Sequence, residues 1–333
     1  MRITRSWVTV VAVLALPLAA SVAGCSSSDN GSTGGNGNGD TADGGGGTGD
    51  NGGNGGDAGG GGTDGGGGGG GSTKIGSISL SSSTFKVAST TIATHSASAF
   101  FADETGAAGD TGGTSTGCTT TTDGSCTVVE CQAKGGDGGT VGGGDGGKVK
   151  SPTAGEIDLS GGKIAAAGIK LTPNGDGLYT ADSGQTAIWD GGEDISVKAL
   201  GDAVPAFDQK VKAPSAVTLT KPAWPAPGTP LAVNRANALD LQWTGGSAGD
   251  VTVLLSSAGG GKSAVITCKF PSAGGTGTVP ASSLGKLAAG AGVVSMVNTS
   301  TNAFKQGDWA INLTATSPVL AGSAVASGQI NAQ

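Results

Sequence analysis

The sequence is poor in the residue types on which catalysis and nucleic-acid binding depend. Of its 333 residues, 13% are charged and 4% are aromatic, and His95 is the single histidine. Its 18 basic side chains form no cluster and are outnumbered by 25 acidic ones. Because neutralising phosphates requires clustered lysine and arginine, the composition excludes nucleic acid as a partner. The same shortage argues against electrostatic docking on anionic lipid.

Long hydrophobic runs are also missing. Residues 7–20 are nearly all apolar, but this stretch is shorter than the roughly 20 residues that a membrane-spanning helix needs. Arg2 and Arg5 precede it, and small residues follow it as far as Cys25. This order of charged, apolar and small segments predicts a secretory signal peptide over residues 1–24.

The end of this signal, Val22-Ala23-Gly24-Cys25, resembles the lipobox of bacterial lipoproteins. The resemblance implies that the signal is cut before Cys25 and that acyl chains are attached to Cys25. Three acyl chains exceed the two signals needed for stable anchoring, so we expect the protein to be held on the lipid bilayer of the cell envelope. By the same resemblance, Ser26 in place of Asp favours the outer membrane, with the protein facing the periplasm or the cell surface. An ordinary secretory signal with an incidental cysteine is the alternative.

Glycine is the residue present in excess. Of the 68 glycines, 25 fall in residues 26–73, without the period of collagen. This stretch carries six Asp, no Lys or Arg, and two Ala as its only apolar residues. It cannot bury enough surface to offset its ordering entropy. We therefore predict that residues 25–73 are a lipidated cysteine followed by a disordered tether, with a span of roughly 35–40 Å.

From residue 74 onward the sequence predicts an all-β fold. Short alternating runs rich in Thr, Ser and Val are separated by Gly, Pro, Asn and Asp at intervals typical of β-sandwiches. The only helical turn is predicted over residues 280–287. The predicted strands cover residues 76–80, 84–88, 96–102, 126–131, 155–159, 169–172, 186–189, 195–200, 217–220, 239–243, 251–256, 264–270, 293–298, 309–316 and 323–330.

A proline-rich segment suggests where two domains meet. Residues 221–230 contain four prolines, and proline cannot donate to a central strand. We predict two tandem antiparallel β-sandwich domains, residues 74–221 with Gly-rich loops at 104–117 and 134–147, and residues 231–333, joined by a hinge at 222–230. The alternating segment Leu239-Asp240-Leu241-Gln242-Trp243 resembles a strand of immunoglobulin-like and fibronectin type III sandwiches, which implies a fold but no activity.

Four cysteines follow Cys25, and an exported protein can form disulfides from them. If Asp123 and Gly124 form a two-residue hairpin turn, Cys118 faces Val129, and Cys131 lies diagonally beside it on the same face. That register predicts a Cys118–Cys131 disulfide. A longer turn would allow Cys118–Cys126 instead. Cys268, on an apolar run, is predicted to be a buried thiol, with pairing to the remaining cysteine as the alternative. One histidine and no paired Cys spacing predict no zinc site.

Patterns that resemble catalytic motifs lack the context that their chemistry requires. Ser115 and Ser247 each lie in a G-x-S-x-G pattern, but no helix is predicted after either, and His95 precedes both. Residues 259–263 end like a phosphate-binding loop but are predicted to be a hairpin turn. We therefore predict no catalytic residue and no cofactor.

Acidic turns and tryptophans are the remaining candidate binding groups. Asn174 and Asp176 are weak candidates for a Ca²⁺ site, since Ca²⁺ needs 6–8 oxygens and the segment also reads as a tight turn. Asp182, Asp190, Glu193 and Asp194 could supply further oxygens or a glycosidase pair. Trp189 and Trp224 could stack on sugars, although tryptophan in a sandwich is more often part of the core.

The sequence as a whole predicts a membrane-anchored, non-catalytic lipoprotein outside the cytoplasm. Its expected role is display, adhesion or interaction with an envelope protein or polysaccharide. Binding of a carbohydrate or another small ligand is the alternative, and a carboxylate-based hydrolase is the third hypothesis.

Overall fold

The computed structural model describes residues 74–87, 90–103, 117–132, 151–181, 186–226 and 228–333. The predicted signal peptide, Cys25 and the tether lie outside the described residues. The two predicted Gly-rich loops lie outside them as well, apart from Gly117.

The fold is all-β, as the sequence predicts. In the first half of the chain, the described residues form ten strands: β1 (Lys74–Val87), β2 (Thr90–Asp103), β3 (Gly117–Asp123), β4 (Cys126–Gln132), β5 (Ile157–Gly161), β6 (Ile169–Leu171), β7 (Tyr179–Thr180), β8 (Asp194–Ala199), β9 (Phe207–Lys212) and β10 (Val217–Lys221). The second half forms nine more: β11 (Leu231–Val233), β12 (Leu239–Gly245), β13 (Asp250–Gly259), β14 (Lys262–Pro271), β15 (Thr276–Val279), β16 (Gly290–Gln306), β17 (Trp309–Ala321), β18 (Ala324–Val325) and β19 (Ser327–Ala332). A helical turn, α1 (Ala281–Leu284), follows Pro280 within the predicted range.

Eight strands of the large sheet follow one another in the order β2-β1-β17-β16-β13-β14-β4-β3. The short strand β7 extends it beside β2, and β19 and β11 extend it beside β16. Neighbours among the eight strands are antiparallel except β1 and β17, which run parallel. Two smaller groups of strands pack against its inner side. One is the sheet β6-β5-β8-β9, and the other is β15-β12-β10, which joins the end of β17.

The inner side of the large sheet contributes to two separate hydrophobic cores. One core joins β1, β2 and the first part of β17 to the β6-β5-β8-β9 sheet, with Phe101, Tyr179 and Trp309 among its largest members. The other joins β4, β13, β14, β16 and β19 to β10, β12 and β15, and it contains Trp243. Alternation of apolar and polar residues along each strand turns one face of the large sheet toward these cores.

The strands β16 and β17 belong to both cores. Ile311 and Leu313 of β17 lie in the first core, while Val319 of the same strand lies in the second. On β16, Met296 lies in the second core and Phe304 packs against the first. Both strands are long, 17 and 13 residues, and their unbroken alternation lets one hairpin serve two sandwiches.

Residues 222–230 form no strand in the part of this segment that is described, as expected for a proline-rich stretch. Strand pairing nevertheless joins the two sides of this segment, since β1 pairs with β17 and β4 pairs with β14. The domain boundaries of the sequence analysis stay a prediction.

Several local predictions need correction. The predicted strands at 76–80 and 84–88 fall in one continuous strand, β1, apart from Ala88, which lies outside the described residues. The serine-rich middle of β1 pairs along its length with β2. Residues 186–189 form no strand, because Trp189 is instead held in the first core as part of a loop. The strands β9, β11 and β15 were not predicted.

Candidate functional site

The hairpin β3–β4 carries the first disulfide. Cys118 and Cys131 lie directly opposite each other, with Cα atoms 4.0 Å apart, and their sulfur atoms are bonded. The loop consists of Gly124 and Ser125 rather than Asp123 and Gly124, and Gly124 has a φ of 58°, as such tight loops require. The turn therefore lies one residue later than predicted, and the residue opposite each position shifts by two, from Val129 to Cys131 for Cys118. Such a shift preserves which residues share a face, so Cys118 still meets Cys131.

The second disulfide lies in the core of the second sandwich. Cys126 of β4 and Cys268 of β14 are paired directly across the sheet and bonded to each other, and both are 0% exposed. The prediction that Cys268 is a free buried thiol was therefore wrong. The alternative, pairing with the cysteine that the Cys118–Cys131 bond leaves over, is the one found, across a sequence separation of 142.

Polar contacts fasten the same hairpin to α1. A carboxylate oxygen of Asp123 accepts hydrogen bonds from the hydroxyl groups of Ser282 and Ser283, the latter at 3.1 Å. Lys286 forms an ion pair with Glu130 of β4, with 3.0 Å between nitrogen and oxygen. The sequence analysis missed this docking contact, since no local pattern connects residues about 160 positions apart.

The two weak cation candidates lie in a turn before β7. The side-chain oxygen of Asn174 accepts hydrogen bonds from the backbone N–H groups of Asp176 (3.0 Å) and Leu178 (2.9 Å). This arrangement is the Asx turn that Asn favours. Within the described part of the chain, no group of three or more His, Cys, Asp or Glu side chains is placed to hold a metal ion. The oxygen of Asn174 is thus engaged in shaping the turn.

The acidic residues that follow are engaged with lysines or with the backbone. Asp190 pairs with Lys163 at 2.5 Å, and Asp194 pairs with Lys212 at 2.8 Å. The hydrogen bond from Lys212 lowers the pKa of Asp194 below its ordinary value. Asp182 lies outside the described residues.

Glu193 closes a loop by accepting two backbone hydrogen bonds. Its carboxylate oxygens accept from the N–H groups of Asp190 (2.9 Å) and Gly191 (2.6 Å). Burial is the largest single influence on its pKa and raises it, but the backbone N–H groups together outweigh burial. The pKa of Glu193 is therefore lowered, and the carboxylate stays charged to support the loop.

The predicted aromatic and nucleophilic candidates are held by structural contacts. Trp189 is 4% exposed and donates from its indole nitrogen to the hydroxyl of Ser317 at 3.0 Å. Trp224 packs against the second core. The hydroxyl of Ser247 is hydrogen-bonded to that of Ser215 at 2.8 Å, and Nδ1 of His95 lies 2.7 Å from the carbonyl oxygen of Thr186. Ser115 lies outside the described residues.

The side of the large sheet that faces away from both cores, termed the outer face, is rich in hydroxyl groups. Its rows run across the strands, such as Thr301–Thr314–Ser79–Ser98 and Thr299–Thr316–Ser81–Ser96. Some hydroxyls pair with each other, as Ser81 does with Ser96 at 2.8 Å. The charged residues at outer-face positions of the described strands are Asp250, Lys269 and Lys305.

Five aliphatic side chains interrupt the hydroxyl rows and form what we call the aliphatic patch. The patch consists of Val129, Leu254, Val265, Val293 and Val297 on β4, β13, β14 and β16. Val265 lies opposite Val129, and Leu254 is a diagonal neighbour of Val265, Val293 and Val297. Val293 is 49% exposed. The patch could have been recognised in the sequence from strands that are apolar at both alternating positions.

An open depression of about 310 Å³ lies on the β16–β17 hairpin and is lined by Ala303, Phe304, Lys305, Ala310, Ile311 and Asn312. It holds one charged group, Lys305, and no pair of groups suited to acid–base chemistry. Within the described residues, no helix is long and apolar enough to cross a membrane.

Comparison with known proteins gives no relative from which a site could be transferred. No protein-family model matches the chain, and no curated protein sequence matches it.

Proposed function

We propose that the protein is a membrane-anchored, non-catalytic lipoprotein that works outside the cytoplasm. Its role is display, adhesion or interaction with an envelope protein or polysaccharide, and the acylated Cys25 attaches it to the lipid bilayer. The described residues present a broad sheet surface, and the open depression on them holds one charged group, Lys305.

The observation that carries this proposal is the buried disulfide between Cys126 and Cys268. Both cysteines are 0% exposed, and the bond joins strands far apart in the sequence. Structural disulfides form and persist in oxidising compartments and are rare in the cytosol. The bond therefore supports export, in agreement with the signal-like segment and the lipobox resemblance of residues 22–25.

The contacts of the candidate residues support a non-catalytic role. Ser247 and Asp194 are each bound to a partner that stabilises the fold, and Glu193 closes a loop. Trp189 lies in the first core, which weakens support for the carbohydrate-binding alternative, since a sugar platform needs an exposed ring.

Attachment can be tested by replacing the acylated cysteine. We expect Cys25→Ala to prevent incorporation of labelled palmitate. By the resemblance to the lipobox, the thiol of Cys25 is the group that accepts the first lipid. Ser26→Ala is the matched control and should keep the label. The membrane fraction is then washed at high salt, and palmitate is measured in both variants. Incorporation in Cys25→Ala equal to that in the unmodified protein would refute the lipid anchor.

A further inference from the structure

We propose that the outer face of the large sheet is the interface of a homodimer, in which two copies pack sheet against sheet. The inference does not depend on the lipid anchor, since it rests on residues 77–318 of the folded part.

The outer face shares two features with protein interfaces, an apolar centre and few charged residues. The aliphatic patch lies among serine and threonine side chains, and charged residues are few. Protein interfaces combine an apolar centre with a polar surround and are depleted of charge at the centre. Charged side chains are instead concentrated on the separate β6-β5-β8-β9 sheet, where they form ion pairs. These side chains are Glu156, Asp158, Lys170, Asp194 and Lys212.

The size of the outer face also suits a stable dimer. Strands lie about 4.8 Å apart, and side chains on one face recur about every 6.7 Å, so each residue covers about 32 Å². About forty residues of the eight strands point outward, which gives roughly 1,300 Å² for each copy. A standard interface buries about 800 Å² on each partner. The outer face is therefore large enough without any contribution from loops.

The partner that fits this surface best is a second copy of the same chain. A serine or threonine hydroxyl both donates and accepts hydrogen bonds, so a hydroxyl-rich face is complementary to itself. A face that carried one sign of charge would repel its own copy, but Asp250, Lys269 and Lys305 are of mixed sign. Two copies of one sheet also have the same twist, which lets them pack face to face at about −30°. A two-fold axis brings the same patch of both copies together.

The position of Val293 allows a test that does not disturb the fold. Its side chain is 49% exposed and lies at the patch, so Val293→Glu should fold normally but place an unpaired carboxylate in the proposed interface. The matched control is Leu200→Glu, which introduces the same charge at a side chain that is 59% exposed, next to β8 and away from the large sheet. A second variant, Thr301→Arg, places a positive charge in a hydroxyl row at another point of the outer face.

The experiment measures the mass of the full chain in detergent by sedimentation equilibrium, from about 1 to about 100 µM, a range that covers micromolar dissociation constants. We expect the chain without substitutions and the Leu200→Glu variant to form dimers. Val293→Glu and Thr301→Arg should each raise the dissociation constant of the dimer at least about tenfold. Melting temperatures of all variants serve as the check on folding. A monomeric unmodified chain over this range overturns the proposal, whether or not the face then binds a polysaccharide. Equal dissociation constants for Val293→Glu and Leu200→Glu overturn it as well. Neither result bears on palmitate incorporation at Cys25, so failure of the two proposals can be distinguished.

Discussion

Removing the buried disulfide is expected to cost more stability than removing the exposed one. The Cys118–Cys131 bond closes a loop with a sequence separation of 13, whereas Cys126–Cys268 has a separation of 142. Closing a loop restricts the unfolded chain by an entropy that grows with the logarithm of its length. For these lengths the contributions are about 3 and about 5 kcal/mol at 25 °C.

Burial adds to this difference. Cys126 and Cys268 are 0% exposed and belong to the second core, while Cys131 is 8% exposed outside both cores and Cys118 is exposed on an edge strand. Replacing both buried cysteines with Ala also leaves cavities, each worth about 1 kcal/mol. The expected losses are therefore about 7 kcal/mol for Cys126→Ala/Cys268→Ala and about 3 kcal/mol for Cys118→Ala/Cys131→Ala. Since domains are typically stable by 5–15 kcal/mol, the first variant loses a large part of its stability.

The assay is urea unfolding followed by tryptophan fluorescence, because Trp243 lies in the second core and Trp189 and Trp309 lie in the first. Each double variant is the control for the other, since both exchange two cysteines for two alanines. Mild reductant with alkylation should open Cys118–Cys131 first, because exposed disulfides are the more accessible ones. Equal losses of stability in the two variants, or earlier reduction of Cys126–Cys268, would show that loop length and burial do not govern these bonds.

Two further predictions concern single residues of the β5–β8 region. Gly161→Ala should destabilise the protein by at least about 2 kcal/mol more than Gly192→Ala, measured by urea unfolding. Both glycines have a similar φ, 96° and 94°. An added Cβ at Gly161 would lie 2.3 Å from the carbonyl oxygen of Asp194, whereas one at Gly192 would meet nothing within 4 Å. Equal losses of stability in the two variants would contradict the proposed clash. Glu193→Gln should lower stability at neutral pH by about 1 kcal/mol, and this difference should vanish on acidification. Because the pKa of Glu193 is lowered in the folded protein, the charged group stabilises the fold above its ordinary pKa, and the benefit is lost as the pH falls through the lowered value. Thermal melts of both proteins at a series of pH values test this, and a difference that stays constant below pH 4.5 would contradict it.

Local patterns predicted the elements whose partners are close in sequence. Residues 259–263 were predicted to be a hairpin turn, and Gly259 indeed pairs with Lys262 at the end of β13 and β14. The helical turn after Pro280 and the strandless proline-rich segment were likewise anticipated from single residue types. In each case the controlling physics is local, because proline fixes its own φ and glycine allows the positive φ of tight turns, whatever the rest of the chain does.

Elements that depend on distant partners escaped sequence reasoning. The serine run in the middle of β1 has the composition of a turn, yet it forms a strand because β2 pairs with it throughout and β17 pairs with β1 as far as Ser81. The pairing of Cys126 with Cys268 follows from the register between β4 and β14, which no local pattern reveals. The contact between Asp123 and α1 depends on that same long-range pairing.

The placement of β16 and β17 explains why a proline-rich segment is a poor guide to how the cores divide. A segment boundary in the sequence separates two cores only if each strand contributes to one core. Here Leu313 and Val319, six positions apart on β17, lie in different cores, and β17 receives β1 on one edge and β10 further along. Because β17 carries both contacts, loosening its pairing with β1 exposes apolar residues of the first core. Loosening its C-terminal end, which pairs with β10, exposes apolar residues of the second core. The large sheet is therefore the element that links the two cores mechanically, and its outer face is the one broad surface that both halves of the described chain build together.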